Sequence, residues 1–120
     1  MFNSAIVIQW GTAVAGRENL GLEVFMSAVK HYSGLKERGE IENFQTVIFE
    51  QGSVSNTAGL MVLSGTQTQL QTVLSSDKHR ELLTKAAHIV SDIRLQYGSS
   101  GSGIESRIQD LVKWRKELGL

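Results

Sequence analysis

The chain has no cysteine among its 120 residues. Disulfides, thiolate nucleophiles and thiolate metal sites are excluded together, and a cytoplasmic setting is expected. It also has no proline, which carries no functional information. An excess of charge of either sign is lacking too, because twelve basic residues balance twelve acidic ones. No global field would draw the protein to nucleic acid or to an anionic membrane, so neither is expected as a partner. Long apolar runs are missing as well. Ala5 to Ile8 is the only one near the N-terminus, far short of a signal-peptide core or a membrane span. One domain with an appendage fits this length.

What is present reads as alternating strands and helices. "AIVIQW", 5–10, is rich in β-branched residues and runs into the loop "GTAVAG", so it is a strand ending near Gly11. From Arg17 to about Arg38, Leu22, Phe25, Ala28, Val29, Tyr32 and Leu35 recur at helical spacing, and Gly39 supplies a helix stop. "IENFQTVIFEQ" and "AGLMVLSG" form two strands of a hairpin joined by "GSVSNT". Thr66 with Gln69 makes a capping box for a helix through about Leu74, and "SSD" at 75–77 restarts it. "IRLQY", 93–97, makes a fourth strand. The order β-α-β-β-α-β is the ferredoxin-like α+β pattern, two helices on one face of a four-stranded antiparallel sheet. The expected organisation is a domain over 1–97, a Gly/Ser linker over 98–103 and a C-terminal helix over 104–120.

The strands are too apolar for a sheet with one wet face. Ile6 to Ile8, Val47 to Phe49 and Leu60 to Leu63 are continuous rather than alternating, so both faces are expected to be covered. Two helices shield only one. Leaving half a dozen large side chains in water would forfeit about 1.5–3 kcal/mol each. The second cover is either the C-terminal helix or the sheet of a second chain. Ile104, Ile108, Leu111, Val112, Trp114 and Leu118 form one broad apolar side of that helix. The Gly/Ser string, read as flexible, would let it fold back or reach a neighbour.

The segments "QWGTAVAGREN", "FMSAVKHYSGLKERGEIENFQTVIFE", "GLMVLSG" and "LSSDKHRELLTKAAHIV" resemble an uncharacterised group of small bacterial proteins in the dimeric α/β barrel superfamily. The likeness covers most of residues 5 to 97. It implies that two ferredoxin-like subunits stack their sheets into a barrel. Members of the superfamily include cofactor-independent monooxygenases, haem-degrading or haem-binding enzymes and muconolactone isomerases, beside proteins of no known activity. The fold is therefore far better specified by the likeness than any reaction.

Few residues nominate chemistry. "GTAVAGRE" has the glycine spacing of a P-loop, but Arg17 stands in place of the phosphate-gripping lysine and Glu18 in place of the Mg²⁺-binding hydroxyl. Its glycines read as a tight turn, with Glu18 favouring the helix N-terminus and Arg17 making a salt bridge or bonding nearby carbonyls. His31, His79 and His88 are the groups expected to titrate near neutrality. His79 and His88 are nine residues apart, on opposite sides of an unbroken helix, so no metal is expected. His79 lies where some relatives with haem or oxygenase activity carry site residues. No Ser–His–acid arrangement can be assigned, and Glu40 and Glu42 read as solvated. Trp10, Phe44, Phe49, Met61 and Tyr97 fall on strands and are candidates to line a barrel interior, with Gln9, Gln45, Arg94 and Gln96 as polar company.

The resulting expectation is a homodimer enclosing a small hydrophobic ligand held by Trp10, Phe44, Phe49 and Met61, with no cofactor. The alternative is a cofactor-independent monooxygenase or isomerase acting on an aromatic or polyketide-like compound. Its catalytic nominees are His79, Arg94 and Tyr97, at least one of which must stand in the wall of the pocket. Haem binding through a histidine is a third reading.

Overall fold

The computed structural model describes residues 2–52 and 57–120. The elements are β1 (Ser4–Trp10), α1 (Glu18–Glu37), β2 (Asn43–Ile48), β3 (Gly59–Gly65), α2 (Gln67–Ser75), α3 (Asp77–Ala87), β4 (Arg94–Ser99) and α4 (Gly103–Glu117). The sheet is antiparallel throughout, in the order β2-β3-β1-β4. This is the ferredoxin-like α+β fold with its second helix split into α2 and α3 and a C-terminal helix, α4, added. The turn expected between β2 and β3 falls largely on 53–56, outside the described residues.

Local chemistry accounts for the helix ends. Thr66 accepts from the Gln69 amide while the Gln69 side chain accepts from the Thr66 amide, a complete capping box. Ser76, in extended conformation, separates α2 from α3 and accepts from the His79 amide at 3.4 Å. Gly39 closes α1 at a φ of +73°, where a side chain would be strained. The glycine loop before α1 is tied to the segment before β4. The Val14 amide donates to the Ile89 carbonyl, and Arg17 Nη1 donates to the His88 carbonyl at 2.5 Å. Glu18 accepts from the Gly16 amide at 3.1 Å.

Cross-strand register assigns every strand residue to a face. Ile6 and Ile8 stand opposite Leu63 and Met61 and point into the helix layer, where Ala28, Tyr32, Leu35, Leu70, Val73 and Leu82 complete the core. The open face carries Ala5, Val7 and Gln9, then Leu60, Val62 and Ser64, with Gln45, Val47, Arg94 and Gln96 at its flanks. Val7, Leu60 and Val62 are only half-buried there and Val47 is exposed. Among the described residues of one chain, then, nothing covers this second face.

α4 does not supply it. Ile104, Ile108, Leu111, Val112, Trp114 and Leu118 are all exposed, and no residue of the helix is buried. The Gly/Ser stretch is not a free string either. Gly98 and Ser99 pair with Ala5 and Ser4 as the end of β4, and Gly103 is already helical. Between them Ser100 donates to the Asn3 carbonyl, and the amide and hydroxyl of Ser102 both donate to the Phe2 carbonyl. Glycine is required here for geometry rather than looseness. Gly101 has a φ of +51° against the Phe2 ring, and a Cβ on Gly103 would collide with the Asn3 carbonyl.

Candidate functional site

Between the sheet and the helix layer lies a cavity of about 70 Å³. Ile8, Trp10 and Met61 form its floor, and Val24, Phe25, Ala28 and Tyr32 of α1 face Leu82, Leu83 and Ala86 of α3 across it. Small residues make the space. Gly21, Ala28 and Ala86 stand where larger side chains would fill it, and a Cβ on Gly21 would lie 3.2 Å from Ile89 Cγ2. Trp10 and Phe25 pack with ring centroids 5.9 Å apart. The lining is apolar but for the indole N–H of Trp10 and the hydroxyl of Tyr32.

Tyr32 links this cavity to a buried polar pair. Its Oη lies 2.7 Å from Nδ1 of His79, which is 1% exposed. α1 carries Tyr32 on its core-facing stripe, while the Ser76 cap starts α3 so that His79, in the first turn, turns inward. Burial pushes the His79 imidazole below its ordinary pKa, with the His31 ring adding to the shift, and pushes the Tyr32 phenol above its own. Both groups are therefore neutral at neutral pH. In the tautomer in which the phenol O–H donates to Nδ1, the imidazole proton sits on Nε2, a buried atom with no hydrogen-bond partner among the described residues. A neutral imidazole and a phenol can bind a polar group or pass a proton between them.

The sequence nominees are dispersed. Trp10 and Met61 are in the cavity wall. Phe44 packs behind Tyr32, ring centroids 5.7 Å apart. His79 is one hydrogen bond behind the wall, not in it. Arg94 lies on the open face, donating to Thr57 Oγ1 at 2.8 Å beside Asp92. Tyr97 donates to Ser4 Oγ at 3.4 Å, and Phe49 is exposed at the far end of β2. Trp10, Phe44, Met61 and Tyr97 were expected on the inside of a barrel of two sheets. Register puts all four on the helix side instead, because each pairs with, or shares the alternation of, Ile6, Ile8 or Leu63. Tyr32 was legible only as a core position of α1. The one further signal was chemical, that a tyrosine on a buried stripe needs a partner for its hydroxyl. Among the described residues no group of three or more histidines and carboxylates could hold a metal ion. His88 Nδ1 is bonded to the Thr84 carbonyl instead.

No family model matches this chain, and no curated protein matches it. Solved structures do. A dimeric ferredoxin-like protein of unknown function from Thermobifida fusca is 12% identical, with a TM-score of 0.63 over 83% of this chain and 93% of that one. A dimeric protein of unknown function and ferredoxin-like fold from Bacteroides fragilis is 9% identical, TM-score 0.59, over 83% and 100%. SnoaB, a cofactor-independent oxygenase from Streptomyces nogalater, is 9% identical, TM-score 0.56, over 85% and 96%. At these identities the likeness establishes the ferredoxin-like α+β fold and leaves the chemistry open.

Proposed function

We propose that this chain is a homodimeric, barrel-forming protein that binds a small hydrophobic molecule in the cavity between its sheet and helices. The carrying observation is that cavity itself, apolar, floored by Trp10 and Met61, with Tyr32 in its wall. Two structural relatives are described as dimeric, and the uncovered sheet face supports self-association. A cysteine-free chain suits the cytoplasm.

Size restricts the ligand. The cavity of about 70 Å³ is half the ~150 Å³ that admits benzene, and well under the ~300–1,000 Å³ of common ligand pockets. A single small ring enters only if half-buried Phe25 and Leu83 move aside. Phenol and toluene are suitable probes in a ¹⁵N NMR titration, with Trp114 on α4 as internal control. Binding shifts the Trp10 indole and leaves Trp114 in place. No shift at Trp10 or its neighbours at millimolar probe would refute the reading.

The oxygenase or isomerase alternative is less favoured, despite the likeness to SnoaB. None of its nominees, His79, Arg94 or Tyr97, stands in the wall. A base would have to act through Tyr32. Oxygen uptake with a single-ring phenol as substrate, lost in Tyr32→Phe and in His79→Gln alike, would restore it.

A further inference from the structure

α4 is an arm exposed along most of its length. The chain has a radius of gyration of 16.5 Å and a longest dimension of 54 Å, whereas a compact 120-residue domain has a radius of about 14 Å. A fifteen-residue helix that is exposed almost throughout would be marginal alone. Yet its direction is set, through the bonds from Ser100 and Ser102 to Asn3 and Phe2 and the two glycines that allow them. A tether built to aim a helix, and a helix presenting Ile104, Ile108, Leu111 and Leu118 on one side, call for a surface outside the subunit.

We infer that this surface belongs to a second copy of this chain, with each α4 lying across the partner as a reciprocal clasp. The inference rests on the homodimer proposed above, and area argues for it. Four strands at ~4.8 Å and six or seven residues at ~3.3 Å make a sheet face of roughly 400 Å². A standard interface needs about 800 Å² from each partner, so stacked sheets supply about half. One arm, about 22 Å long and ~10 Å wide, contributes roughly 200 Å². The strip receiving the partner's arm contributes as much again, and the two together make up the shortfall. The arm leaves from the end of β4, an edge strand of the face that needs covering, so the two contacts are continuous.

The native absence of cysteine allows a direct test on the full chain. A nitroxide on Lys116→Cys, on the polar side of α4, is mixed with an unlabelled ¹⁵N copy, and dimer dissociation constants are measured by sedimentation for Leu111→Lys and Val62→Lys. The clasp predicts local broadening in the unlabelled copy and at least a tenfold weaker dimer for Leu111→Lys. If Leu111→Lys leaves the constant unchanged and no broadening occurs, while Val62→Lys dissociates the dimer, the clasp is wrong and the sheet dimer stands. A wild-type chain that is monomeric at all concentrations overturns both. Binding of α4 to phosphatidylglycerol vesicles without intermolecular broadening also overturns the clasp, in favour of a membrane surface.

Discussion

Tyr32 and His79, 47 positions apart, share one buried hydrogen bond that sets the polarity of the cavity. Tyr32→Phe removes the Nδ1 partner and leaves both imidazole nitrogens without one among the described residues. That should cost about 1–3 kcal/mol, read as a lower urea midpoint with an unchanged slope. Acid should act on the same ring. His79 and His31 both titrate below their ordinary value when folded, chiefly through burial, so the unfolded chain binds protons first as the pH falls. Stability is then fully present above an unfolded pKa of about 6.5 and declines as the pH drops toward the lower folded values. Urea midpoints at pH 7.5 and pH 5 should differ in that sense, and less so in His79→Gln; a midpoint that holds or rises in acid would contradict it. Gly59 is a third sensitive point, since a Cβ there would meet Trp10 Cζ2 at 2.7 Å and the Val47 carbonyl at 2.8 Å. Gly59→Ala should cost about 1–3 kcal/mol and perturb the Trp10 signal, as overpacking does.

Among the elements, those with strong local codes were readable in advance. The Thr66–Gln69 box and the Ser76 cap are where the residue types place them, because capping needs only side chains three positions apart. Thr66→Ala should lose about 1 kcal/mol of unfolding free energy. The Gly/Ser stretch has no such code: composition suggests freedom, whereas in the structure Gly98 and Ser99 continue a strand and Ser102 is bonded to Phe2, a hundred positions away. Gly101→Ala should accordingly strain the turn by about 1–2 kcal/mol and misdirect α4. Measured on the dimer, its signature is weaker association with the core NMR spectrum retained.

At the scale of the molecule, one chain leaves α4 and the half-buried Val7, Leu60 and Val62 of the open sheet face without a cover among the described residues. Hydrogen exchange should separate them by concentration. Amides of β1 and β3, each flanked by two strands, are expected to stay protected throughout. Those of α4 should exchange quickly in dilute protein and slow as the dimer forms. Protection of α4 that is independent of concentration would point to packing within one subunit.

The strands, the helices, the caps and the need for a second cover could be read from the residue order alone, because each depends on local periodicity or on apolar surface that must go somewhere. Which face each strand residue takes could not. Continuous runs such as Ile6 to Ile8 carry no alternation, so only pairing with β3 and β4 sends Trp10 and Met61 to the helices. The cavity and its Tyr32–His79 pair were equally hidden, since they depend on how closely α1 and α3 approach across the sheet. That spacing is a packing outcome of many side chains at once, with no signature in any short stretch of the chain.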